Sequence, residues 1–458
     1  MTDAPTAFSR PTGFIRRAVG LVRRPPAALV ALADQGVVSG FGFLSGIAAA
    51  RLLGIAEFGH FAMILIVLGF AQALHNALIT APMMTLVGAR SGVSTAYGAT
   101  ILAGAFLLCL PGAVFVVAAL LIAGMSGETL LAACALMVAQ NLQFTLRRLL
   151  FAKGRGVQAL IMDSARAASF PLVALLIWLE HEALGGNGFV WLLAATSFAT
   201  CLPFIVSFGR PILRRPGCVQ AGAITRRHIP LARWLLPIVF VTFVQEQLIW
   251  LMAGSTLGLE ELGGLRAAQY LVGTVLLLLA ATENVLPVAA SRAHAEGGEA
   301  ALRSYLLRTG VKLGVPIVAI LALLALPGEM WLRLIFGAEY AGYATCLRIL
   351  SVSVVIVLAR DLAANYFRAK QNTRVLFESL CVSMVVSLAV VVPLMRAGGV
   401  SGAAAAVGAG HLASLIYLVL AARRHARPAP ARPSLGRWRR SFGPAKSVAE
   451  PIAKSARS

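Results

Sequence analysis

Charged residues are scarce in this chain: they make up 13% of its 458 residues, and only 18 residues are Asp or Glu. Soluble domains carry about 25% charged residues, so this composition does not suit a long chain with a water-facing surface. Hydrophobic residues reach 59% and occur in long stretches. Stretches of about 20 apolar residues are typical of transmembrane helices. The sequence therefore predicts an all-α polytopic membrane protein.

Motifs of catalysis and nucleotide binding are missing as well. The sequence contains no G-x-x-x-x-G-K-[ST] loop, so ATP hydrolysis by this chain is not expected. It contains no H-E-x-x-H or G-x-S-x-G motif, and its six cysteines form no C-x-x-C pair. We expect no cofactor, no metal site and no enzymatic activity.

Twelve candidate spans alternate with short loops, and the basic residues are shared unevenly between the two sets of loops. Lys and Arg concentrate in both terminal tails and in alternate loops, whereas the other loops carry acids such as Glu57, Glu128 and Glu339. Loops rich in Lys and Arg stay on the cytoplasmic side. Both termini are therefore predicted to be cytoplasmic. The formal net charge of +22 is expected to face anionic lipid headgroups, with no nucleic-acid partner.

The longest loop divides the chain into two halves of six spans each. We predict five regions: a basic N-terminal segment that is either an amphipathic helix or a plain topogenic tail, a first six-helix bundle, a basic cytoplasmic linker, a second six-helix bundle and a disordered basic tail. Their boundaries are 1–27, 28–209, 210–230, 231–421 and 422–458.

The two halves share short sequence matches. LGIAEFGHF at 53–61 and LGLEELGGL at 257–265 both follow L-G-x-x-E-[FL]-G-x-[FL], and each links the first two spans of its half. LLFAKGR at 149–155 and YFRAKQN at 366–372 each close a fourth span. Because both halves begin on the same side, these matches predict parallel repeats related by a pseudo-two-fold axis along the membrane normal.

Three segments carry a resemblance to a known family. Residues 33–84, from ADQGVVSGFGFLSG to LITAPMM, resemble the N-terminal signature of bacterial polysaccharide (Wzx-like) flippases. IFGAEYAGYATCLRIL at 335–350 and RRLLFAKGR at 147–155 resemble that family's entry to the tenth span and its fourth-span ending. The family belongs to the multidrug, oligosaccharidyl-lipid and polysaccharide exporter (MOP) superfamily, which also contains the lipid II flippase and the multidrug and toxin extruders.

The resemblance implies two six-helix bundles around a central cavity that works by alternating access. The implied substrate is an undecaprenyl-diphosphate-linked oligosaccharide, turned from the cytoplasmic to the periplasmic leaflet of the bacterial inner membrane. Surface polysaccharides such as O-antigen, lipopolysaccharide or exopolysaccharide would be the products of the pathway. Polysaccharide polymerases are expected as partner proteins.

Polar residues within the spans are the candidate site residues, because a charge at the bilayer centre costs roughly 2.5–3.5 kcal/mol on insertion scales. Arginine suits a diphosphate because its planar fork bonds two oxygens at once, and amides and imidazole suit sugar hydroxyls. The alternatives are an Asp163–Arg166 ion pair and hydrogen bonds between helices. The candidate substrate-binding residues are Arg166, Arg360, Arg147, Gln72, Asn76, His75 and Gln140.

Three acids are candidates for coupling transport to H⁺ or Na⁺: Glu246, Glu283 and Asp34. Glu246 is the first choice because its position near the membrane midplane favours uptake of a proton; a structural partner for an arginine is the alternative. The neighbours Arg360 and Asp361 are expected to point to different helix faces and not to neutralise each other. Small residues in the first span predict close helix packing at Gly36, Gly40, Gly42 and Gly46.

Two other functions compete with the flippase. A multidrug or cation extruder of the same superfamily would favour a cavity rich in acids and aromatics, and aromatics make up only 8% of this chain. A membrane glycosyltransferase, polymerase or ligase would need catalytic residues on large external loops, and the external loops here are short.

Overall fold

The computed structural model describes residues 27–88, 94–179, 185–214, 221–282 and 286–425, and in these ranges every regular element is helical. The predicted basic N-terminal segment, most of the predicted disordered tail and the coupling candidate Glu283 lie outside the described residues.

The helices follow one another along the chain with short connections. Helix α2 contains a π-helical turn, Asn76–Thr80, between its longer segment Ile55–His75 and its last segment Ala81–Gly88. A short 3₁₀ helix, Ala338–Tyr343, precedes α11. The bounds of the other helices are α1 Ala27–Leu53, α3 Thr95–Ile122, α4 Glu128–Ala152, α5 Gly156–Leu179, α6 Gly186–Arg214, α7 Ala221–Thr256, α8 Leu259–Thr282, α9 Leu286–Ala325, α10 Gly328–Ile335, α11 Ala344–Ala369 and α12 Thr373–His425.

Two of these elements bend at glycines with positive φ. Helix α9 breaks at Gly298 (φ 65°) and α12 at Gly399 (φ 55°), a backbone conformation that glycine adopts without strain. Each element therefore consists of two helical arms. Helices α1 to α8, the second arm of α9, α11 and the two arms of α12 supply twelve spans. This confirms the predicted all-α membrane architecture of two six-helix halves.

The repeated motif starts α2 and α8 in the same way. Gly54 (φ 78°) and Gly258 (φ 110°) each precede the first turn, which explains the glycine at this position of the motif. A Cβ added to Gly59 would strike the carbonyl of Leu259, and a Cβ added to Gly263 would strike the carbonyl of Ile55. Ile55 and Leu259 are equivalent in the motif. The two repeats therefore cross through a reciprocal contact, as expected at a two-fold axis.

The two ends of the helices differ in charge, and we name them by it. The acidic end is the end that holds Glu57, Glu260 and Glu339, and the basic end is the end that holds Lys153 and Lys370. The glycine crossing lies at the acidic end, which the sequence predicts to be external. The two halves are thus packed against each other at this end.

Three further hydrogen bonds join the halves at the acidic end. The buried hydroxyl of Tyr340 donates to the carbonyl of Ala50 at 3.1 Å. Arg51 donates to the carbonyls of Leu334 and, at 2.7 Å, Ile335. Together with the glycine crossing, these bonds close the acidic end.

The close packing predicted for the glycines of α1 is correct at one position only. Gly46 packs directly on the ring of Tyr270 from α8. At Gly36, Gly40 and Gly42 the prediction is wrong, because a Cβ added there would meet nothing within 4 Å. The sequence pattern shows which residues share a helix stripe, but the rotation of the helix decides which part of the stripe meets a neighbour.

Candidate functional site

A cavity of about 400 Å³ lies between α2 of the first half and α7 and α8 of the second. This volume falls within the usual range of small-molecule sites. Helix α2 contributes an apolar wall, and α7 and α8 contribute the polar groups. The lining residues are Ala62, Leu65, Ile66, Gly69, Ala73, Ile238, Val239, Thr242, Phe243, Glu246, Gln247, Arg266 and Tyr270.

Arg266 is the cation of this cavity. Its guanidinium donates to the side-chain oxygens of Gln269 at 2.6 Å and Gln247 at 3.2 Å, and it lies 4.6 Å from the ring centre of Trp250. Its buried Nε has no hydrogen-bond partner in the described structure. Among the described residues no carboxylate lies within 4.0 Å of this group. Amides and an aromatic ring thus hold the charge without neutralising it.

Glu246 places a carboxylate in the same cavity. It is the exposed member of a run of three polar residues on α7. Its neighbour Gln245 is buried and donates to Ser383 of α12 at 3.0 Å, and Gln247 on the other side accepts from Arg266. The hydrogen bond to α12 fixes the rotation of α7, and this rotation turns Glu246 towards the cavity.

Arg266 is not among the candidate residues predicted from the sequence. The repeated motif at 257–265 carries the information needed to identify Arg266. Its positive-φ glycine, Gly258, sets the start of α8 at Leu259, so Arg266 lies two turns inside the helix. Counting turns from the motif would have placed an arginine within the membrane.

A second polar cluster joins α1, α4 and α5 within the first half. Arg147 contacts the carboxylate of Asp34 at 2.6 Å and that of Asp163 at 3.2 Å. Gln143 donates to Asp163 at 2.7 Å and accepts from Arg166 at 2.7 Å. Two cations and two anions therefore form one network that fastens three helices together.

The network changes the interpretation of its members. Gln143 bridges Asp163 and Arg166, so the direct pair expected from their spacing does not form; Asp163 contacts Arg147 instead. The guanidinium of Arg166 lies 4.3 Å from the ring centre of Phe41. Arg147 and Arg166 stay proposed phosphate ligands, but each already has polar or aromatic partners that a substrate would have to replace.

We expect Arg147→Met to destabilise the fold more than Asp34→Asn. The first change leaves two carboxylates, 0% and 3% exposed, without their cation, and breaking a buried pair in this way costs about 3–5 kcal/mol. The second leaves Arg147 paired with Asp163. The thermal unfolding midpoints of the two purified variants in detergent measure both losses of stability.

Arg374→Met is the matched control for this comparison. Arg374 pairs with Glu378 across one helical turn, but its side chain is 87% exposed. Exposed ion pairs contribute about 0–1 kcal/mol to stability, so the thermal unfolding midpoint of Arg374→Met should stay close to that of the wild type. Equal midpoints for Arg147→Met and Arg374→Met would contradict a structural role for the network.

The remaining candidates of α2 and α4 do not line the described cavity. His75 is buried, with its Nε2 2.8 Å from Thr145 Oγ1. Asn76 accepts from Thr80 at 2.6 Å within the π-helical turn. Gln72 and Gln140 are half-buried. The residues that α2 contributes to the cavity are all apolar: Ala62, Leu65, Ile66, Gly69 and Ala73.

Arg360 corrects one expectation from the sequence. It forms an ion pair with the adjacent Asp361 at 2.7 Å, so these two neighbours do neutralise each other. The expectation rested on the directions of the Cβ atoms, which differ between neighbouring residues of a helix. An arginine side chain is long enough to fold back along the helix and reach the adjacent carboxylate. The third guanidinium nitrogen lies 2.9 Å from Nδ1 of His411 on α12. Arg360 as a substrate ligand stays a proposal.

Comparison with solved structures identifies the fold. The lipid II flippase MurJ in an inward closed conformation is similar over 86% of this chain and 87% of its own, with a TM-score of 0.63 and 13% identity. An inward-facing multidrug resistance MATE transporter of the MOP superfamily is similar over 86% and 98%, with a TM-score of 0.59 and 15% identity. The chain thus shares the fold of these two proteins. No family model matches the sequence, and no curated protein does.

Proposed function

We propose that this protein is a flippase that moves an undecaprenyl-diphosphate-linked oligosaccharide across the bacterial inner membrane by alternating access. The observation that carries the proposal is Arg266, a cation without a carboxylate partner among the described residues, in a cavity between the two halves. The diphosphate would bind Arg266, the sugars would extend into the space between the halves, and the lipid tail would stay in the bilayer.

The charge of Arg266 favours an anionic substrate. A charge within the membrane is costly, and a diphosphate offers oxygens that bond a guanidinium in the bidentate geometry it prefers. The same arginine would repel an organic cation. MurJ is described as a lipid II flippase, and its fold likeness to this chain is consistent with a lipid-linked substrate.

A multidrug or cation extruder is the second candidate, and Glu246 is the observation that favours it. A carboxylate in the cavity would attract a cation, and the MATE transporters with this fold are described as multidrug resistance proteins. Glu246 and Arg266 line one cavity, so the substrate decides which of the two charges it engages.

Reconstituted full-length protein distinguishes the two functions. In the first assay, liposomes contain a fluorescent undecaprenyl-diphosphate oligosaccharide, and flipping is measured by quenching the fluorescence of the labelled lipid in the outer leaflet. In the second assay, the uptake of the cation ethidium is measured. We expect protein-dependent flipping of the lipid and no ethidium transport. Ethidium transport without lipid flipping would replace the flippase with the extruder, and catalytic modification of the lipid would favour the enzyme alternative.

We expect Glu246→Gln to remove the pH dependence of flipping. A carboxylate takes up a proton and an amide does not, so the flipping rate of the variant should not change with pH. The flipping assay is run with and without a pH gradient. Glu296→Gln, at an exposed position of α9, is the matched control and should keep the wild-type profile. An unchanged profile for Glu246→Gln would reject its role in H⁺ coupling.

The predicted orientation is part of the proposal. With both termini in the cytoplasm, the closed acidic end faces the periplasm, and a substrate would enter from the cytoplasmic leaflet. Surface polysaccharide assembly would then consume the product, with a polymerase acting on the periplasmic side.

A further inference from the structure

A second cavity opens at the acidic end, separate from the proposed transport site. Its volume is about 930 Å³, and it lies where the end of α1 meets α9, α10 and α11. Arg51, Arg333 and Arg348 line it, each from a different helix. Glu329 supplies a carboxylate to the same lining.

Helix ends hold two of these arginines. Arg51 donates to the carbonyls of Leu334 and Ile335 at the C-terminus of α10, and Arg348 donates from Nε to the carbonyl of Ala325, the last residue of α9, at 3.3 Å. C-terminal carbonyls have no partner within their helix and form the negative end of its dipole. They position a guanidinium but leave most of its charge in place.

The cavity therefore carries excess positive charge. No carboxylate of the described residues lies within 4.0 Å of any of the three guanidinium groups. Three like charges around one cavity repel one another, and an anion with several oxygens would relieve this repulsion while bonding the guanidinium N–H groups. Phosphate has this chemistry, and arginine forks match its geometry.

The surroundings of the cavity suit a lipid. Leu326 is 77% exposed, Leu334 61% and Met330 51%, so an apolar rim borders the arginines. Trp331 on α10 donates from its indole nitrogen to the carbonyl of Leu323 at 2.9 Å. Tryptophan is enriched at the level of the headgroups, and basic pockets next to apolar surface bind lipid headgroups. A free phosphate would make no use of the rim.

We propose that this cavity binds the phosphate-bearing headgroup of a membrane lipid, with its chains along Leu326, Met330 and Leu334. Arg333 and Arg348 bind the phosphate, and Arg51 supports the site by joining α1 to α10. The site is independent of the transport cavity, so the proposed flippase activity does not depend on it.

Native mass spectrometry of the full-length protein tests the site. The protein is released from nanodiscs of phosphatidylcholine with graded amounts of phosphatidic acid, and the bound phosphatidic acid is counted. We expect the double variant Arg333→Gln, Arg348→Gln to bind roughly tenfold more weakly, because charge-assisted bonds to the phosphate are lost. Arg51 is left unchanged because it also holds α10.

Arg396→Gln is the matched control, since Arg396 is an exposed arginine that also lies at the acidic end of the helices but does not line this cavity. It should bind phosphatidic acid like the wild type. Equal binding by the double variant and the wild type overturns the site, and an equal loss in the control shows only general attraction to the surface. Inorganic pyrophosphate is the second probe: displacement of the lipid at matching concentrations would overturn the lipid assignment in favour of a free phosphate.

Discussion

Arg266→Ala is expected to reduce flipping of the lipid-linked oligosaccharide at least roughly 100-fold. A hydrogen bond to a charged group is worth about 1.5–3 kcal/mol, and a diphosphate would form two with this guanidinium. Arg266→Lys keeps the charge but loses the planar fork, so it should retain an intermediate rate. The assay is leaflet quenching of the fluorescent lipid in proteoliposomes.

Thermal stability separates a substrate role of Arg266 from a structural one. Its partners in the described structure are Gln247, Gln269 and the ring of Trp250, so removing an unneutralised charge should leave the unfolding midpoint unchanged or raise it. Arg233→Ala changes an exposed arginine on α7 and is the control for lost positive charge. A full flipping rate in Arg266→Ala would reject the assignment, and a lower midpoint with lost flipping would indicate a structural role.

Gly59→Ala and Gly263→Ala are expected to slow transport by similar factors, at least tenfold. In each variant the new methyl group strikes a backbone carbonyl of the opposite repeat, and helix backbone gives way less easily than a side chain. The closed acidic end would be destabilised, and alternating access requires both end states to be populated. Equal effects in the two variants follow from the reciprocal contact.

Gly273→Ala is the control for the glycine crossing, because Gly273 lies on the same helix as Gly263 and a Cβ there meets nothing within 4 Å. It should keep the wild-type rate. The second readout is labelling of Ala50→Cys by an impermeant maleimide, since Ala50 is 1% exposed and its carbonyl accepts the hydrogen bond of Tyr340 from the opposite half. We expect labelling to increase in Gly59→Ala. Slow transport without increased labelling would contradict the role of the crossing in closure.

The sequence alone determined the architecture. The shortage of charge and the long apolar stretches predicted a membrane protein of twelve spans, and the described helices confirm it. The motif at 53–61 and 257–265 predicted a repeat, and the structure places its glycines Gly59 and Gly263 in a symmetric contact. These features depend on composition and on local sequence, which a linear chain displays directly.

Only the tertiary structure decided which polar residues share a site. Arg266 and Glu246 lie 20 positions apart in sequence and line one cavity. Asp34, Arg147 and Asp163 come from three helices and share one network, whereas Gln72 and Asn76 of α2 are not among the residues that line the described cavity. The rotation of each helix decides these groupings. Rotation is set by packing between distant segments, such as Gln245 on Ser383, and not by any pattern within one helix.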